Sequence, residues 1–112
     1  MTVKELSAAL GLTEFALPTP DTAVTGGYAG DLLSWVMGRA RAGDCWITIM
    51  SNQNVAAVAL MAEVACVVLT EGVRPDEALL AKAQAQGVNL LGSEKGTFEL
   101  AHDVSELLKS KK

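Results

Sequence analysis

The sequence is short of the residues that usually build dedicated chemistry. It holds two cysteines and one histidine in 112 residues, and neither cysteine stands at metal-ligand spacing, which argues against a zinc or iron–sulfur site. Cys45 and Cys66 each lie inside an apolar, strand-like run, where a thiol behaves as a small buried hydrophobe. Whether they pair is left open, because a disulfide demands a geometry that sequence does not supply. His102 falls in the last helical pattern and reads as a surface or helix-end residue. A basic excess is missing as well: 9 Lys and Arg against 13 Asp and Glu give a net charge of −4. A phosphate backbone needs a basic surface, so no nucleic-acid partner is expected. The terminal Lys109-Ser110-Lys111-Lys112 reads as a solvated helix end.

Long apolar runs are missing too. Gly, Asn or a charge interrupts each one well before the roughly 18 residues that a membrane span requires, so no membrane association is expected. The N-terminus, with Lys4 and Glu5, shows no apolar core followed by a small-residue cleavage pattern. The expected location is the cytoplasm.

What is present is enough for one real core. Half of the residues are apolar, and a chain of this length forms one domain without help from metals or disulfides. We expect a single domain over residues 1–112. Thr2 and Glu5 have capping-box spacing before Val3, Leu6 and Leu10, which predicts a first helix that Gly11 ends. Glu14 to Leu17 reads as a short strand stopped by Pro18 and Pro20. Asp21 to Thr25 is expected to be a second edge strand leading into Gly26-Gly27.

Asp31 is placed to cap a helix bearing Leu32, Leu33, Val36, Met37 and Ala40, with Arg39 and Arg41 near its end. Cys45 to Met50 is a strand, and the polar run Ser51-Asn52-Gln53-Asn54 opens a helix from Val55 to Glu63. Ala65 to Thr70 is almost continuously apolar, as a strand buried on both faces must be. A helix with Leu79, Leu80 and Ala83 ends at Gly87, Val88 to Leu91 is a strand, and Leu100, Val104, Leu107 and Leu108 share the face of a last helix. Strands alternating with helices imply crossover connections. The fold class is therefore α/β: a three-layer α/β/α domain with a parallel or mixed sheet.

Val24-Thr25-Gly26-Gly27-Tyr28 is the stretch around which a site is expected. A glycine pair permits positive φ and close backbone approach, so a turn here would aim its N–H groups at an anion or a neighbouring chain. In open α/β sheets, ligands bind beyond the carboxyl ends of the strands. That rule adds the loops Ser51 to Asn54, Thr70 to Gly72 and Ser93 to Thr97. The ligand-binding candidates are Thr25, Gly26, Gly27, Tyr28, Ser51, Asn52, Asn54, Thr70, Gly72, Ser93 and Thr97. Ser51, Asn54 and Thr97 also suit helix caps, and both roles stay open here. Gly92-Ser93-Glu94-Lys95-Gly96-Thr97 lacks the residue order of a phosphate loop. Trp46 reads as core, while Trp35 lies off the apolar stripe of its helix. Tyr28 and Trp35 are the candidates for an interface.

Thr25-Gly26-Gly27-Tyr28, with Asp31-Leu32-Leu33-Ser34 after it, resembles the DRTGG domain family. The likeness continues through Gly43-Asp44, Trp46-Ile47-Thr48, Asn54, Ala57-Val58-Ala59, Pro75 and Phe98-Glu99. Ala23-Val24 stands where the family carries its Asp-Arg, so no role of that pair transfers. Asn52 stands where the family often has a histidine, which removes the best candidate for proton transfer. The resemblance implies a small α/β regulatory or ligand-binding module, similar also to the N-terminal, non-catalytic part of HPr kinase/phosphorylases.

The expected function is a non-catalytic regulatory domain that senses a small anionic ligand such as a nucleotide. It would act through homodimerisation or a protein partner, without a cofactor, a metal or catalytic residues. A purely structural protein–protein interaction module is the alternative, and a small transferase or hydrolase is a third reading.

Overall fold

Five strands and five helices follow one another in the computed structural model, which describes residues 1–110. Lys111 and Lys112 of the expected basic end lie outside the described residues. The order is α1 (Val3–Leu10), β1 (Thr13–Ala16), β2 (Gly26–Ala29), α2 (Leu33–Arg39), β3 (Asp44–Thr48), α3 (Asn54–Ala62), β4 (Cys66–Leu69), α4 (Glu77–Gln86), β5 (Leu90–Gly92) and α5 (Thr97–Ser110). The sheet runs β1-β5-β4-β3-β2. β2, β3, β4 and β5 are parallel, while β1 joins β5 antiparallel, so the sheet is mixed.

The strands divide their side chains between two cores, because successive residues of a strand point to opposite faces. Trp46, Val67, Leu69 and Leu90 pack on one face with Val36 of α2, Val55 and Ala59 of α3, and Leu79 and Ala83 of α4. Cys45, Ile47, Cys66, Val68 and Leu91 pack on the other with Val3 and Leu6 of α1 and Leu100 and Val104 of α5. β4 is buried along its whole length, which is why its sequence does not alternate.

Local signals explain several element ends. The capping box of α1 is formed: Thr2 N–H donates to Glu5 Oε1 at 2.8 Å, and Glu5 N–H donates to Thr2 Oγ1 at 3.1 Å. An N-terminal cap of this kind contributes about 1 kcal/mol. Gly11 ends that helix in the left-handed region, at φ 61°. The proline-containing stretch is held to the sheet by the buried Asn89. Its Nδ2 donates to the carbonyls of Thr19 (2.8 Å) and Ala65 (3.0 Å), and its Oδ1 accepts from Thr19 N–H at 3.0 Å.

Three expectations are corrected. Residues 21–25 form no strand; Ala23 makes an isolated bridge to Thr2. The edge strand is instead the glycine pair itself, Gly26–Ala29, and neither Gly26 nor Gly27 has positive φ. Extended backbone satisfies these two residues through pairing with β3, so there is no turn. Nor does Asp31 cap α2, whose N-cap is Leu32 with no side-chain bond. Its Oδ1 accepts from Thr48 Oγ1 at 2.8 Å and from Ile49 N–H at 3.0 Å, reaching across to β3 instead of down to its own helix.

Cys45 and Cys66 are register partners on neighbouring strands, fully buried and unoxidised. A hydrogen bond with Cys66, and then burial, push the Cys45 thiol well above its ordinary value. The folded chain therefore keeps this proton where the unfolded chain loses it. Between pH ~9 and ~10, unfolding should release the Cys45 proton, and stability should fall as pH rises by at most about 1.4 kcal/mol per unit. Urea unfolding across that range should show this slope, and Cys45→Val should flatten it. A thiol reagent at pH 8 should leave both cysteines unmodified until the chain is unfolded.

Candidate functional site

β2 is the least covered strand of the sheet, and its composition is the reason. Gly27 and Ala29 fall in register with Cys45 and Ile47, so they face the layer of α1 and α5 with no side chain and with one methyl. The space they leave against α5 is a groove of about 390 Å³. Its floor is Ile47, Val104 and Leu108, and its rim carries Thr25, Ser105 and Lys109. The size lies within the range of small-molecule sites.

A second groove, of about 430 Å³, flanks the same strand and is lined by Thr25 to Tyr28 together with Arg39, Arg41, Ala42 and Asp44. Arg39 lies flat on the Trp35 indole, 3.7 Å from the ring centroid, which limits where its guanidinium can go. Neither arginine is in an ion pair among the described residues. Asp44 is buried, and its Oδ2 accepts the Arg41 N–H at 2.8 Å. Two guanidiniums against one engaged carboxylate leave this lining positive.

The carboxyl ends of the strands are different. Thr70 and Thr97 share a hydrogen bond of 2.7 Å between their hydroxyls. Glu71 N–H donates to the Lys95 carbonyl, and Gly72 N–H donates to the Ser93 carbonyl. Glu71 Oε2 accepts from Thr97 N–H at 3.3 Å. A carboxylate of the protein thus occupies the start of α5, where a ligand anion would otherwise sit.

Glu71 holds this position in the left-handed region, at φ 61°. Ser51 Oγ bonds to Asp76 Oδ1 at 3.4 Å, and Asn52 Oδ1 accepts from Asn54 N–H at 2.9 Å. Asp31, Glu71, Asp76 and Glu94 all lie at this end. Of the cations there, Lys95 is held by Asp103 at 2.6 Å, a bond that raises its pKa, and Arg74 lies over the Phe15 ring at 5.3 Å.

The structure therefore splits the predicted site residues. Thr25, Gly26, Gly27 and Tyr28 come together along β2. Ser51, Asn52, Asn54, Thr70, Gly72, Ser93 and Thr97 lie beyond the far ends of the strands. Gly26 pairs with Asp44, at the start of β3, and Thr48 ends that strand roughly 13 Å away. Parallel pairing places the glycine pair and Ser51 and Asn54 at opposite ends of β3, so they do not form one site. Ser51 is not a helix cap either: α3 has Gln53 at its N-cap, with no side-chain bond.

Trp35 is exposed at 51%, as its position off the stripe implies, and Trp46 is wholly buried. Trp46 Nε1 donates to the Gly30 carbonyl at 2.9 Å. The sequence reading missed Arg39 and Arg41, assigning them only to a helix end. The available signal was that Arg39 has no carboxylate three or four residues away.

The two glycines should respond differently to substitution. A Cβ at Gly26 would meet Asp44 Oδ1 at 2.7 Å, whereas one at Gly27 meets only the Cys45 carbonyl, at 3.6 Å. Gly26→Ala should cost about 1–3 kcal/mol in urea unfolding, from displacing a buried carboxylate. Gly27→Ala should stay within about 0.5 kcal/mol of the parent. Equal losses would contradict this packing.

The DRTGG domain model matches residues 29–107. That span begins just after Thr25-Gly26-Gly27-Tyr28. No curated protein matches the chain. Among solved structures, the chain is similar to the CBS and DRTGG domains of the regulatory region of Clostridium perfringens pyrophosphatase, complexed with its activator diadenosine tetraphosphate. The TM-score is 0.67 at 11% identity, with 90% of this chain and 44% of that one covered. The likeness shows a shared fold, and this chain spans less than half the length of that one. By the family model and the α/β architecture together, the chain belongs to the DRTGG domain family.

Proposed function

We propose that the chain is a non-catalytic regulatory module that binds a small anionic ligand in the arginine-lined groove beside β2 and passes its occupancy to a protein partner. The observation that carries this reading is the polarity of the sheet. Arg39 and Arg41 flank Gly26-Gly27, while at the other end Asp31, Glu71, Asp76 and Glu94 outnumber Lys95 and Arg74, which are engaged by Asp103 and the Phe15 ring. An anion is attracted at the first place and repelled at the second. Guanidiniums also match phosphate and carboxylate oxygens in pairs.

The groove lining supplies two guanidiniums, backbone, the hydroxyl-bearing Thr25 and Tyr28 and the engaged Asp44 carboxylate, with neither histidine nor cysteine. That inventory suits binding better than turnover. A nucleotide is the first ligand to try, because the pyrophosphatase region of the same fold is described with a nucleotide activator.

Thermal unfolding against pyrophosphate, nucleotides and dinucleoside polyphosphates tests the reading. A ligand at a hundred times its dissociation constant adds about 2.7 kcal/mol, a rise of roughly 10 °C for a domain of this size. Arg41→Gln and Arg39→Gln should each remove most of that rise, and Lys95→Gln, at the acidic end, should leave it intact. A rise that survives both arginine substitutions would overturn the assignment.

A further inference from the structure

We infer that the outer edge of β2 is a docking site for an extended segment of a partner protein, which adds to the sheet as a sixth strand with apolar side chains toward α5 and acidic side chains toward Arg39 and Arg41. The proposal supplies the partner's chemistry for the function proposed above. It rests on that reading only for the role of the partner, not for the existence of the site.

The argument starts from which backbone groups are free. Gly30 N–H donates to the Ile47 carbonyl, and parallel pairing alternates every second residue. The N–H and C=O groups of Gly26 and Tyr28 therefore turn toward β3, and those of Gly27 and Ala29 turn outward. β2 ends the strand order, and both Gly27 and Ala29 are exposed. An unpaired row of donors and acceptors is a template for another strand.

The two edges of the sheet are treated differently. β1, at the opposite edge, carries Glu14, has an irregular register between Glu14 and Ala16, and is followed by Pro18 and Pro20. These are devices that block strand addition. Residues 25–30, Thr-Gly-Gly-Tyr-Ala-Gly, contain neither a charge nor a proline. Among the described residues, only the β2 edge is open.

The two grooves then define what fits. They lie on either side of the same strand, and a strand paired at its edge would direct alternate side chains to the two faces of the sheet. On the α5 side those side chains meet Ile47, Val104 and Leu108, and on the other they meet Arg39 and Arg41. The matching segment alternates apolar and acidic residues over four or five positions, the length of β2 itself.

Fluorescence anisotropy of a labelled, end-capped Glu-Val-Glu-Val-Glu-Val-Glu-Val peptide with the whole protein, in the absence of any other anion ligand, tests this directly. We expect saturable binding, with the Lys-Val counterpart at least about tenfold weaker because its charges face the arginines. Ala29→Pro removes an outward N–H without touching the β3 ladder and should abolish binding while the fold is retained by circular dichroism. Arg41→Glu should reverse the preference between the two peptides, which keeps the test decisive if the proline variant fails to fold.

Equal binding of both peptides, or binding unaffected by Ala29→Pro in a folded protein, overturns the proposal. So does a concentration-dependent dimer, by sedimentation, that Ala29→Pro dissolves, since the occupant is then a second copy. Because no phosphate is present, failure here leaves the anion reading standing, and failure of pyrophosphate to raise the unfolding temperature leaves this one standing.

Discussion

The Asp31 carboxylate fixes the position of the strand on which both grooves depend. β2 is four residues long, and its two glycines contribute no side chain to hold it. Beyond its ladder with β3, it is tied at its carboxyl end, where Asp31 Oδ1 accepts from Thr48 Oγ1 and Ile49 N–H and Trp46 Nε1 donates to the adjacent Gly30 carbonyl. At the other end, Gly26 lies so close to Asp44 that a Cβ would displace the carboxylate, its Oδ1 being 2.7 Å away. Hydrogen bonds to a carboxylate, such as the two that Asp31 accepts, are stronger than neutral ones. With the strand fixed, its missing side chains become space instead of disorder, and that space is what both grooves consist of.

The distribution of charge follows from the same topology. Parallel strands send all their carboxyl ends to one side, where this chain places acidic residues, and Glu71 there occupies the start of α5 as an internal anion. The amino-terminal side of β2 receives the end of α2 and the segment before β3, which carry Arg39 and Arg41. A chain with a net charge of −4 thus presents a local positive lining. Total charge bears on a nucleic-acid partner, whereas a small anion responds to the field of the groove it enters.

Much of the fold was legible in the sequence, for identifiable reasons. The unbroken apolar run of residues 65–70 marks a strand buried on both faces, and the spacing of Thr2 and Glu5 marks the start of a helix. The buried Trp46 and exposed Trp35 follow from strand context and helical spacing. The site was less legible. Gly26-Gly27 was read as a turn because glycine is compatible with extended and left-handed backbone alike, and only pairing with residues 44 and 45 decides between them. Asp31 was read as a cap because its true partners lie 17 and 18 residues away. Arg39 and Arg41 have the sequence context of ordinary charges at a helix end, and only the tertiary placement of β2 beside them makes them line a groove. Each of these outcomes depends on contacts distant in sequence, which local pattern does not encode.

The measurement that bears most directly on the central claim is a map of backbone amide chemical-shift changes as pyrophosphate is added to isotopically labelled protein. If the glycine strand is the site, the largest changes fall on Gly26, Gly27, Tyr28 and Arg41. Changes centred on Gly72, Ser93 and Thr97 would return the site to the carboxyl ends of the strands and contradict the account.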